Sequence, residues 1–205
     1  MSPGYLNFYF RAGFEYQVIK KLLALKSFQH QESQVLPQGY AFYSAQCLKN
    51  IANYMKLELS AHENNVKDFY ALAHEHVTIV LGWNDIEFEN CIYAYQRNAL
   101  VLSYLNSLPW IEDNGVERVG FSGQAAALVD ALLVFESILC RVVKQRSLPI
   151  LGLFLKNLAS RMHCLYNEVT LYSGDLQKDL MHRYLLQACQ KIIRLSFDLL
   201  GICQL

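Results

Sequence analysis

Histidines, cysteines and carboxylates are where chemistry would start in this chain, and their spacing argues against it. His74-Glu75-His76 has the look of a metal cluster. Residues two apart on a helix lie about 200° apart around its axis, however, so the two imidazoles cannot converge on one ion. A zincin site needs histidines four apart with a glutamate between them, and a di-iron bundle needs Glu-x-x-His pairs on facing helices. Neither pattern occurs. Asp85, Glu87 and Glu89 gather at an expected helix start, where the dipole and the free N–H groups favour them.

His163 beside Cys164, and His182 seven residues before Cys189, pair a base with a thiol. A catalytic cysteine needs a lowered pKa, typically at a helix N-terminus. These thiols fall well inside helical patterns and read as packed. Nucleophile elbow, phosphate loop and dinucleotide fingerprint are all missing. The expectation is therefore no catalytic residue, no metal ligand and no cofactor, in a chain that is not an enzyme. Gln124 and Glu136 lie off the polar stripe of their helix, so Glu136 is expected to be buried and paired with Arg161 or His163.

The elements that carry these groups read as helices. Residues 122–146 form the least polar long run, with Leu128, Val129, Ala131, Leu132, Leu139 and Val142 spread over most of the helix circumference. Such a helix belongs inside a bundle. Asp130, Glu136 and Arg141 break it before the roughly 20 apolar residues that a bilayer needs, so it is no transmembrane segment. Other helices are expected from about 11, 38, 65, 85, 148 and 175. The fourth has the sharpest local signal: Asn84 and Glu87 fit a capping box, and Trp83 and Phe88 a hydrophobic staple. Pro149 suits a first helical turn, and Ser173-Gly174-Asp175 opens the last helix.

Residues 39–58 resemble one helix of a tetratricopeptide unit, but nothing reproduces the pattern at a period of about 34 residues. The reading is all-α: a single irregular bundle of six to seven mostly antiparallel helices, one domain over 1–205, around a central apolar helix at about 122–146. An aromatic arm (1–10) precedes it, and the longest connecting loop spans 109–121.

Composition then bounds function. Hydrophobic residues make up 53% of the chain and charged ones 18%, below the roughly 25% of an average soluble protein. Apolar surface could be left for a partner. Net charge is zero, so no overall field draws the chain to nucleic acid, and none is expected as a partner. Charge is unevenly placed: residues 1–139 hold 14 acids and 9 bases, residues 140–205 hold 4 and 9. The acidic stretch 58–117 would suit a basic partner. Six scattered cysteines without a CxxC pair or secretory leader imply reduced thiols in a cytoplasmic or nuclear protein.

The leading expectation is a non-enzymatic protein–protein interaction module, an adaptor or subunit that binds other protein subunits through Tyr5, Phe8, Trp110 and Ile111. The alternative is a bundle that carries an apolar ligand or lipid, and a helical enzyme without a familiar motif comes third.

Overall fold

The computed structural model describes residues 14–28, 40–57, 80–108, 120–168 and 170–202. Seven helices lie among them: α1 (Phe14–Leu23), α2 (Tyr40–Met55), α3 (Asp85–Ser107), α4 (Gly123–Leu133), α5 (Phe135–Gln145), α6 (Pro149–Glu168) and α7 (Leu176–Leu199). The fold is all-α, and its helices pack against one another. One apolar core runs through all seven, from Ile19 and Ile51 to Leu132, Leu155 and Ile192. The helix expected over 65–81 lies outside the described residues, save Val80 and Leu81, which are helical.

Local chemistry explains the best-defined boundaries. Gly82 takes φ +69°, a left-handed conformation that suits glycine at the end of a helix. Two residues on, the Asn84 side chain accepts from the Glu87 N–H at 2.9 Å, and the Glu87 carboxylate accepts from the Asn84 N–H at 2.9 Å. That reciprocal pair starts α3. The Trp83 and Phe88 rings meet edge to face at 6.4 Å, as a staple requires. At α7 the Asp175 carboxylate accepts from the Lys178 N–H at 3.2 Å. Buried Asp179 closes the preceding turn, accepting from the Ser173 N–H and hydroxyl and from the Gly174 N–H.

Two expectations are corrected. The run 122–146 is not one helix: it breaks at Val134 (φ −86°, ψ −2°) into α4 and α5. The break leaves Leu133 and Val134 exposed and lets each short helix bury its own face, Leu128 and Leu132 in one, Leu139 and Val142 in the other. The centre of the bundle is α7, which packs against α1, α2, α3, α4 and α6. Its polar content disguises this, because Asp179 and Ser196 are buried with their hydrogen bonds made inside the protein.

α7 and its neighbours satisfy one another's carboxyl ends. Asn50 of α2, itself buried, donates to the Leu199 carbonyl at 3.2 Å. The Lys191 ammonium donates to the Leu23 carbonyl at 2.5 Å, capping α1 with a cation where the helix dipole favours one.

Candidate functional site

On α3 the residues Cys91, Ala94, Asn98, Leu102 and Leu105 are buried against α6 and α7. The opposite face should be polar. Instead it presents Ile86, Tyr93, Leu100 and Tyr104, which are 69%, 55%, 73% and 60% exposed. At about 100° per residue these four and Arg97 fall within about 60° of one line, a ridge of roughly 27 Å along the helix. An exposed stripe of this length on an already packed helix marks a contact surface rather than core.

Polar and aromatic groups of α6 buttress the ridge on one side. The Tyr93 and His163 rings stack at 5.6 Å and 21°. One helical turn on, the Arg97 guanidinium lies over the Tyr166 ring, 4.5 Å from its centroid. Burial holds the His163 pKa below its ordinary value, with the Arg97 charge adding to it and a hydrogen bond to the Asn90 backbone opposing it. Burial likewise raises the Tyr166 phenol.

Charge is graded along α3. Asp85, Glu87 and Glu89 sit at its amino end. Glu87 pairs with Lys156, and that hydrogen bond, helped by the Asn84 backbone, lowers the Glu87 pKa. Cations of α7 meet the inner side of the helix, Arg183 near its carboxyl end and Arg194 near its middle. The Arg183 Nε–H donates to the Asn106 side chain at 2.9 Å, and Arg194 bonds to Tyr95 and to Asp198. Tyr93, Leu100 and Tyr104 share the outward face of α3 with Arg97, whereas Asn106 and Tyr95, the partners of Arg183 and Arg194, lie more than about 100° around the helix from that line. Exposed aromatic faces with an arginine among them suit unstacked bases and the phosphates that join them.

Several groups singled out from the sequence are not brought together by the described structure. Tyr5, Phe8, Trp110 and Ile111 lie outside the described residues, as do His74-Glu75-His76. Glu136 is not buried with Arg161 or His163. Its carboxylate is 46% exposed and faces the Lys21 ammonium at 3.4 Å. Arg161 instead donates to the Ala127 carbonyl, and His163 is taken by Tyr93. Cys164 is exposed, whereas Cys189 is buried and its thiol pushed well up by desolvation. Among the described residues no group of His, Cys, Asp or Glu could hold a metal ion, and no helix is long and apolar enough to cross a membrane.

The ridge is not among the features that the sequence analysis singles out. Its signal is the 86, 93, 100 and 104 spacing, a second apolar stripe on a helix that needs one.

Comparison with known families matches residues 91–205 to the family described as the DALR anticodon binding domain. The match covers more than half of the chain and takes in Tyr93, Arg97, Leu100 and Tyr104 together with α4 to α7. No curated protein and no solved structure matches the chain. The family overturns the adaptor and the apolar-ligand carrier, and with them the expectation of protein partners, a basic one among them, and of no nucleic acid. Net charge is a poor guide to RNA affinity. Binding to a single strand depends on the cations and aromatic faces at the contact, and a neutral chain can still hold nine bases against four acids in its last third.

Proposed function

Because the chain belongs to the DALR anticodon binding domain family, we propose that it binds tRNA at the anticodon, with the outward ridge of α3 as the contact surface. The family match over 91–205 carries this reading. The ridge supports it, because an anticodon is an unpaired loop. Its bases are free to leave their stack and lie on Tyr93 and Tyr104, and its phosphates can approach Arg97. The acids at the amino end of α3 repel phosphate, so the RNA is expected over residues 93–106. In this reading the chain works in the cytoplasm as a binding domain and performs no chemistry of its own.

The test is competition against labelled, unfractionated tRNA. A hairpin copying an anticodon arm is expected to displace the tRNA. A hairpin copying the acceptor arm, which has no unpaired anticodon loop, is expected to do so far more weakly. Equal competition by the two, or no binding of tRNA at all, would overturn the reading.

A further inference from the structure

Arg97 stands at the middle of the ridge, and a buried network decides where its guanidinium sits. Asn98, fully buried, lies next to it on the inner face of α3. The Asn98 Nδ2 donates to the Leu186 carbonyl at 2.9 Å and to the Gln190 Oε1 at 2.9 Å. Its Oδ1 accepts from the Tyr166 hydroxyl at 2.6 Å. Both N–H donors and the carbonyl are engaged, and turning the amide over would set its oxygen against two acceptors. The amide can therefore hold Tyr166 in one way only. Its ring is the surface on which the Arg97 guanidinium rests.

Among the described residues no acid pairs with Arg97: the ion pairs there are Lys21–Glu136, Lys156–Glu87 and Arg194–Asp198. A guanidinium flat on an aromatic ring keeps its planar fork of N–H donors at the edges, where phosphate or a base edge can meet it. Fixing it before the RNA arrives removes the ordering cost that a mobile arginine would bear on binding.

We infer that Tyr166 is a positioning residue of the RNA interface: moored by its hydroxyl to Asn98, it holds the Arg97 guanidinium pre-ordered on the ridge. This rests on the tRNA-binding reading above and adds to it that α6 and α7 act on the RNA through Arg97.

A double-mutant cycle read in affinity for unfractionated tRNA tests the inference. Tyr166→Phe keeps the ring and removes the mooring, and is expected to weaken binding about threefold to tenfold, the weight of ordering one long side chain. Arg97→Gln is expected to weaken it at least as much. Added to Arg97→Gln, Tyr166→Phe should cost nothing further, because nothing is left to position. A purely structural effect of the lost hydroxyl would lower affinity equally in both backgrounds.

Arg97→Lys leaves the buried network untouched and keeps the charge but not the flat stack, so it is expected to lose affinity as Tyr166→Phe does. Additive costs in the cycle, or wild-type affinity for Arg97→Lys, would overturn the inference while leaving the tRNA reading in place. A wild-type chain that binds no tRNA would remove both.

Discussion

Gly152, in the first turns of α6, is where the segment leading into α3 touches the rest of the bundle. A Cβ added there would lie 2.7 Å from the Leu81 carbonyl oxygen, 2.9 Å from the Trp83 indole nitrogen and 3.0 Å from the Leu81 Cβ. Contacts under about 3 Å cannot be kept, and the nearest atom belongs to backbone that cannot swing aside. Leu81 and Trp83 are 2% and 8% exposed, and between them Gly82 is held at positive φ with Pro149 against it.

Gly152→Ala sets two effects against each other. Alanine favours an α-helix over glycine by about 1 kcal/mol. Overpacking a close contact typically costs about 1–3 kcal/mol. Backbone has to move here, so the cost should fall in the upper part of that range and leave a net loss of about 1–2 kcal/mol. In a chain of this size that lowers the thermal midpoint by about 2–8 °C. Thermal unfolding followed by circular dichroism measures it. Ser160→Ala, at an exposed position of the same helix, is the control and should be neutral or stabilising. A Gly152→Ala protein as stable as the wild type would refute the reasoning, since propensity would then have outweighed the contact.

Two further outcomes follow from buried polar groups. His182 stacks on Phe121 at 6.0 Å, and burial, with Lys178 adding and Asp179 opposing, holds its pKa below the ordinary value. The unfolded chain therefore binds the proton more readily. Its contribution to stability is complete above about pH 6.5 and is lost as pH falls through the lowered folded value. His182→Gln should flatten the fall in thermal midpoint between about pH 7.5 and about pH 5.5, and an unchanged profile would show that His182 does not drive it. Asp179→Ala strips three donors in the 173–174 turn of their acceptor and should cost about 2–4 kcal/mol. A thermal midpoint within about 1 °C of wild type would refute that.

What the sequence shows of this fold is what depends on neighbours along the chain. The Asn84–Glu87 box, the Trp83–Phe88 staple, Pro149 at the head of α6 and Asp175 at the head of α7 all act within a few residues, and each is where its pattern places it. The centre of the bundle depends on long-range packing and was misplaced. Apolar content pointed to 122–146, whereas α7 hides Asp179, His182 and Ser196 in the interior. Glu136 went wrong for a related reason. Its place on the helix wheel presumed one continuous helix, and the break at Val134 changes the wheel.

The ridge was legible in principle through Ile86, Tyr93, Leu100 and Tyr104, but helical periodicity cannot say which of two apolar stripes faces water. The proposed RNA contact left no motif at all. Exposed tyrosines and an arginine on α3, backed by aromatic groups of α6, have no fixed spacing for a sequence reading to find.

The affinity of the Tyr93→Ala/Tyr104→Ala double variant for unfractionated tRNA bears most directly on the assignment of the ridge. Both side chains are more than half exposed, so the variant should fold as the wild type does. Each aromatic platform is worth about 1–3 kcal/mol to a stacked base, so the expected loss is at least about thirtyfold. A folded double variant that binds tRNA as tightly as the wild type would contradict the assignment of α3 as the RNA-binding face.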